Sequence, residues 1–405
     1  MLPLQSELAI VPKVLRIINR LNIGGPTWNA ALLAKHLAPE FETLLVAGSR
    51  DISEGNSEFL VQELGVDFLE VKEMRRRIDP FYDYRAYRKI KSLIDDFKPD
   101  IVHTHAAKSG AIGRLAAINA KVPVIVHTFH GHIFHSYFNS FQTRFFLQTE
   151  RYLAKRSSAI IAISEKQKEE LVHQYQVCDE EKVKVIPLGF DLSKFREDME
   201  LKRTKFRKAY QISDNEIAIG IIGRLVPVKN HKLFIASAKQ VLDRIKLPVR
   251  FFIVGDGSER YDLLSYCESL GLKAVFYPEQ VAVAPVTFTS WRKDVDVVMA
   301  GLDLVCLSSW NEGTPVSLIE AQAAGKPIVS CSVGGIENTV LENQSALLVP
   351  PDDISAFSAA ILNLLVNHDL RANMAVKGWP FVKERFHYER LTQDIKILYK
   401  ELLNY

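Results

Sequence analysis

The string WNEGTPVSLIEAQAAGKPIVS at residues 310 to 330 sets two carboxylates, Glu312 and Glu320, on either side of a Gly-Thr-Pro turn, ahead of a helix expected to end near Gly325. A helix N-terminus presents unpaired amides and a partial positive charge. The amides of Gly313, Thr314, Val316 and Ser317 could therefore take up an anionic diphosphate, while Pro315 offers none. A carboxylate on the loop can accept hydrogen bonds from sugar hydroxyls, and one a turn or two into the helix can hold vicinal ribose hydroxyls in bidentate fashion. That arrangement suits a nucleoside-diphosphate sugar. The plainer alternative is a helix whose positive end is merely offset by acidic neighbours.

Upstream, GRLVPVKNH places Arg224 and Lys229 across a strand-to-helix turn that opens at Gly223. Two cations at this spacing could converge on one phosphate, Arg as a planar fork and Lys as a point charge, and such a pair can replace a divalent metal. Taken alone, the pair reads equally well as two solvated surface cations. FFIVGDGSER runs a strand into Gly255 and Gly257, where a lone GxG either brings backbone close to a ligand or only permits a tight turn. In the N-terminal half, LNIGGPTWNA carries Gly24 and Gly25 after a strand and admits the same two readings. Full GxGxxG spacing is absent there, so no dinucleotide cofactor is expected. Histidines gather in VHTHAAKSG and VHTFHGHIFHSYF, and His103, His105 and His127 read as hydrogen-bonded core residues after or within strands.

The elements that must position these residues follow from hydrophobic patterning. A chain of 405 residues exceeds what one core usually serves, so two domains are expected. Short β-branched runs alternate with longer amphipathic segments, the mark of parallel sheets with helical crossovers. Strands are expected at 14–18, 42–48, 100–105, 122–128, 158–164 and 183–187, then at 216–223, 249–255, 285–290, 302–309, 326–331 and 345–350. Their near-continuous apolar character suits burial on both faces. Between the two series, DLSKFREDMELKRTKFRKAY interrupts the pattern and marks the domain boundary. The last segment, PFVKERFHYERLTQDIKILYKELLNY, reads as one or two amphipathic helices.

Composition excludes several classes. The four cysteines, Cys178, Cys267, Cys306 and Cys331, form no CxxC pair and stand near no His at zinc spacing, which argues against disulfides or a structural metal. The N-terminal residues lack a signal-peptide pattern and no apolar run could span a bilayer, so a cytoplasmic protein is expected. A formal charge of +3 gives no footing for nucleic-acid binding.

EGTPVSLIEAQAAGKPIV resembles the signature of the retaining family 4 glycosyltransferases of the GT-B fold, strongly over 216 to 350 and more weakly over 14 to 190. The resemblance implies an α/β fold of two Rossmann-like domains facing across a cleft: residues 1–195 on the acceptor side, 196–383 binding the nucleotide-sugar donor, and a C-terminal helix, 384–405, crossing back onto the first. It implies that Glu312 and Glu320 bracket the donor loop with Gly313, Thr314, Val316 and Ser317. It further implies that Arg224 and Lys229 neutralise the leaving nucleoside diphosphate, that Gly257 lies near the nucleoside, and that Gly25 lies near the donor phosphates and the acceptor. His130, within a Thr-Phe-His string, would face the transferred sugar, with His132 and His135 near the acceptor. The implied reaction is metal-independent, cofactor-free transfer of a sugar, with retention, from a nucleoside diphosphate, UDP being the commonest, to a hydroxyl. A lipid-linked saccharide in bacterial surface polysaccharide synthesis is the acceptor by family analogy. KAVFYPEQVAVAP, 273 to 285, departs from the short connection the family would have there. Rival classes are a nucleotide-sugar epimerase of the same fold, which lacks the glutamate-pair string, and a non-catalytic partner subunit.

Residues 72 to 91, KEMRRRIDPFYDYRAYRKIK, and 133 to 156, IFHSYFNSFQTRFFLQTERYLAKR, mix basic and aromatic side chains. Such segments attract anionic lipid headgroups, so an anionic membrane surface is expected as a further partner, at the inner face of the cell membrane. Alternatively Phe138, Phe141, Phe145 and Phe146 pack a helix onto the sheet while the charges stay solvated.

Overall fold

A computed structural model describes residues 11–21, 25–49, 58–75, 77–130 and 140–404, with the side chains of 58–60 and 140–142 excepted. The chain divides into two compact units, one of Met1–Phe190 with Phe386–Tyr405, the other of Asp191–Arg385.

The first unit carries a seven-stranded sheet of β1 (Lys13–Ile18), β2 (Glu42–Gly48), β3 (Phe68–Val71), β4 (Ile101–His105), β5 (Val124–Thr128), β6 (Ala159–Ala162) and β7 (Val183–Val185), in the order β3-β2-β1-β4-β5-β6-β7. All neighbours run parallel. Strands β4 and β5 are buried throughout, as helices on both faces require of central parallel strands. One face is closed by the C-terminal helix Tyr388–Leu403, whose Leu391, Ile395, Leu398 and Tyr399 recur at helical spacing and pack on Val14, Leu37, Phe41 and Val126. Burying those side chains contributes about 1.5–3 kcal/mol each. Phe190 N donates to Phe386 O at 2.8 Å and Tyr388 N to Phe190 O at 3.0 Å, which pins the returning chain to the unit it rejoins.

The second unit repeats the plan with β8 (Ile217–Ile222), β9 (Val249–Val254), β10 (Ala274–Phe276), β11 (Val286–Phe288), β12 (Leu304–Leu307), β13 (Ile328–Cys331) and β14 (Ala346–Val349), in the parallel order β10-β11-β9-β8-β12-β13-β14. Two strands depart from the sequence expectation. β3 is FLEV with two exposed central residues, and β10 opens the segment that reads as a long connection. Both lie at sheet edges, where one flank has no neighbour and a continuous apolar run is not needed. The basic stretch after Phe190 opens the second unit at Asp191. It folds into the helix Met199–Ala209, with Phe206 and Arg207 buried. Asp303 gathers Arg203 at 2.8 Å, Arg207 at 3.2 Å and the Ala218 amide at 2.9 Å, fastening that helix to the start of β8.

Candidate functional site

In the second sheet the strand order reverses between β8 and β12, the point where open α/β sheets leave a crevice outside their carboxyl ends. The loop after β8 carries Arg224 and Lys229, and the loop after β12 carries Glu312. Lys229 ends the short 3-10 turn Pro227–Lys229, and its Nζ donates to Glu312 Oε1. Ser309 Oγ donates to the same oxygen at 2.6 Å. Both partners of the ion pair are largely withdrawn from water, with side-chain exposures of 20% and 11%. Arg224 is exposed on the same loop and its side chain has no partner among the described residues.

The two loops are stitched to each other. Ser308 Oγ donates to the carbonyls of Lys229 and Asn230 at 2.9 Å each. Trp310 N donates to Val228 O at 2.9 Å, while Trp310 Nε1 and Asn230 Nδ2 share Asp352 Oδ1 at 2.7 and 3.1 Å. Glycines let neighbouring loops close on them. Gly255, at φ 142, has no room for a Cβ against the Gly223 carbonyl, and Gly257 none against the Leu225 carbonyl. The GDG turn thus braces the bend that bears Arg224, and Gly257 itself is exposed. Gly334 and Gly335, after β13, do the same under the carbonyls of Glu312 and Gly313, with Gly335 N donating to Glu312 O at 2.9 Å. Sequence reasoning passed over Ser309 and the Gly334–Gly335 pair. The clue for the pair was two adjacent glycines after a buried strand.

The helix Val316–Ala323 begins at Pro315 without a side-chain cap. The amides of Gly313, Thr314, Val316 and Ser317 donate to no described residue, so they remain available at the positive end of the helix. Glu320 lies inside this helix, half-buried, with no hydrogen-bond partner among the described residues and no ion pair to Lys229. Burial pushes its carboxyl up to about 7, with Lys194 opposing and Asp296 adding to the rise.

In the first unit, the order reverses between β1 and β4. Gly25 opens the helix Gly25–His36, where a Cβ would stand 2.9 Å from Leu188 Cδ1. His103, His105 and His127 are fully buried, and burial above all, with Arg16 beside the first two and Arg114 beside the third, holds all three well below the usual histidine range. His130, two residues past the end of β5, is half-buried and lowered to about 3 by burial, and its Nε2 lies 2.9 Å from His105 Nδ1. Gly24, His132, His135 and Phe138 lie outside the described residues, as does the Phe141 side chain. Among the described residues no three His, Cys, Asp or Glu gather as a metal site would need, and no helix is long and apolar enough to cross a membrane.

Two parallel α/β units of this topology are a GT-B fold. Anabaena HepE, solved in complex with UDP, superposes with a TM-score of 0.79 at 20% identity, over 96% of this chain and 100% of that one. The sucrose-phosphate synthase of Thermosynechococcus elongatus gives 0.76 at 18% identity, over 97% and 99%. A model of glycosyl transferases group 1 matches residues 202–378 and one of Glycosyltransferase Family 4 matches 23–194. An Escherichia coli protein named UDP-Gal:alpha-D-GlcNAc-diphosphoundecaprenol alpha-1,3-galactosyltransferase is 30% identical over 322 residues, 77% of this chain and 80% of that protein. The capsular polysaccharide biosynthesis glycosyltransferase CapM of Staphylococcus aureus is 24% identical over 90% of this chain and 97% of its own length. The chain belongs to the family 4 glycosyltransferases, the group 1 glycosyl transferases.

Proposed function

We propose that this enzyme transfers a sugar with retention from a nucleoside diphosphate, UDP first among candidates, to a hydroxyl of a lipid-linked saccharide during assembly of a bacterial surface polysaccharide. The observation that carries the reading is the Lys229–Glu312–Ser309 cluster at the switch point, beside four unclaimed amides at a helix N-terminus. In the free enzyme Glu312 holds the Lys229 ammonium in place. With donor bound, Lys229 and Arg224 face the diphosphate, Glu312 accepts from sugar hydroxyls, and the amides of Gly313, Thr314, Val316 and Ser317 take phosphate oxygens. Negative charge grows on the diphosphate as the glycosidic bond breaks, and preorganised donors act most strongly there. These cations and amides supply the charge stabilisation, so the chemistry runs without metal. Glu320 takes the ribose, Gly257 lies by the nucleoside, Gly25 lies by the phosphates, and His130 faces the transferred sugar. Residues 1–195 with 384–405 serve the acceptor and 196–383 the donor.

The relative whose name specifies a UDP-galactose donor and a diphosphoundecaprenol-linked acceptor supports this choice of substrates. So do the exposed Ile78, Phe81, Tyr84 and Phe145, at 61%, 63%, 59% and 63% exposure, within the basic segments of the first unit. Phe145 does not pack its helix onto the sheet, and an anionic membrane surface is the partner proposed for it. A panel of UDP-, GDP- and ADP-sugars, read by thermal shift and then by release of nucleoside diphosphate in EDTA, tests the donor half. The anomeric coupling constant of the product tests retention. Stabilisation by none of the panel would defeat the reading, and epimerised donor without acceptor would replace it.

A further inference from the structure

Beneath His130 lies a buried polar chain that the reaction described above does not use. Arg16, on β1, is fully buried, and none of its side-chain partners is a carboxylate. Its Nη1 sits 3.0 Å from His103 Nδ1 and 3.0 Å from His105 Nε2, and its Nη2 donates to Tyr399 Oη at 3.0 Å. His103 Nε2 is 2.7 Å from Thr128 Oγ1, and Tyr399 Oη is 2.6 Å from His103 Nδ1. His105 Nδ1 is 2.9 Å from His130 Nε2. His130 Nδ1 is itself buried and without a partner among the described residues.

We infer that Arg16 is a positioning residue that acts through His105 to fix His130 as the Nδ1–H tautomer, so that His130 meets the transferred sugar as a neutral hydrogen-bond donor.

The assignment follows from donor counting. A guanidinium has five N–H groups and no acceptor. His105 Nε2 must therefore offer its lone pair to Arg16, which leaves the single proton of the neutral ring on Nδ1. That proton is donated to His130 Nε2, which must in turn offer a lone pair, so His130 carries its proton on Nδ1. The same count makes His103 an acceptor at Nδ1 and a donor at Nε2 to Thr128, and lets Tyr399 accept from Arg16 while donating to His103. With all three rings neutral no two donors and no two acceptors face each other, and the Nδ1 lone pair of His103 is shared by Arg16 and Tyr399. Protonating any of them would set two N–H groups against each other. Of the ring hydrogens in the chain the one left over is His130 Nδ1–H, whose burial without a partner is costly until a ligand oxygen accepts it; Arg16 Nε, also buried without a partner among the described residues, lies at the far end of the chain. A neutral Nδ1–H suits a sugar hydroxyl oxygen and cannot serve as a base at that atom. That this oxygen belongs to the transferred sugar rests on the functional reading above. The tautomer does not.

The test is long-range 1H–15N correlation of the imidazole rings in the full chain labelled with 15N-histidine, the His130 signals being assigned by their loss in His130→Asn. The wild type should show His130 protonated at Nδ1, and Tyr399→Phe, which leaves the Arg16–His105 link intact, should show the same. Arg16→Met should redistribute the proton and lower kcat by about tenfold, with the donor KM within about twofold of wild type. Arg16→Lys, which keeps a donor, should restore part of both. His130 protonated at Nε2 in the wild type would overturn the relay, as would an unchanged tautomer in a folded Arg16→Met. If Arg16→Met does not fold, the wild-type and Tyr399→Phe spectra decide. An Nδ1–H signal in a chain that transfers from no donor would leave the relay standing and remove the transfer reading, whereas transfer by an Nε2–H enzyme would do the reverse.

Discussion

Replacing Glu320 by Gln separates a cost in the folded enzyme from a gain in its complex. The carboxyl is raised from 4.5 to about 7, chiefly because it is buried. In the unfolded chain it ionises near its ordinary value, so between pH 4.5 and about 7 the folded state binds a proton that the unfolded state does not. The penalty is therefore absent below pH 4.5, grows as pH rises, and is complete above about 7. A shift of this size corresponds to about 3 kcal/mol, an upper bound because the side chain is only half-buried. Glu320→Gln should thus stabilise the free enzyme at pH 8, raising Tm by about 6–12 °C at most for a unit of this size, and should do nothing at pH 4.5. Nucleotide binding moves the other way. If the ionised carboxylate holds the ribose, apparent Kd should rise about tenfold from pH 8 to pH 6 and about a hundredfold by pH 5, one decade for each pH unit below the pKa. The phosphates titrate in the same range, so the useful quantity is the ratio of Kd for Glu320→Gln to that for wild type, by calorimetry at each pH. The ratio should be large at pH 8 and close towards unity at pH 5. A ratio that does not change with pH would remove Glu320 from the ribose site, and a Glu320→Gln variant less stable than wild type at pH 8 would refute the burial penalty itself.

Other outcomes follow from the same site. Glu312→Ala should bind free nucleoside diphosphate as wild type does yet transfer poorly, since its proposed contact is to the sugar; weakened binding of the free nucleotide would contradict that role. Arg224→Ala and Lys229→Ala should each lower turnover by on the order of 10² with activity surviving EDTA, and loss in EDTA with recovery in magnesium would end the metal-free mechanism. Gly335→Ala should abolish donor binding measured by thermal shift, because the added Cβ overlaps the Gly313 carbonyl. Liposome sedimentation should show binding that requires anionic lipid and falls with salt, and no binding at low salt would point to a soluble acceptor.

Strands buried on both faces were legible because each is a short, nearly unbroken apolar run, and so the alternation of two α/β series could be read directly. Of the four edge strands, β7 and β14 were legible and β3 and β10 were not. FLEV and AVF are short, and FLEV carries a charge at its centre, since a strand with one free flank need not be apolar. The turn chemistry of EGTP and the glycines of GDG were also local, because a helix start and a close backbone approach each depend on a few consecutive residues.

What the tertiary structure alone decided is which distant groups meet. Lys229 and Glu312 are 83 residues apart in sequence and share a hydrogen bond because β8 and β12 are neighbours. Arg16 and Tyr399 are 383 apart and meet because the C-terminal helix closes on the first sheet. His103 and His105 read as ordinary core histidines, and they are buried and hydrogen-bonded. Their link to His130 depends on strand register, with Arg16 paired to His103 and Thr128 to His105. The sequence determined the elements because backbone preference and apolar period are short-range properties. The charge state of Glu320, the tautomer of His130 and the pairing of Lys229 come from desolvation and donor–acceptor matching between strands, which exist only after the sheets have formed.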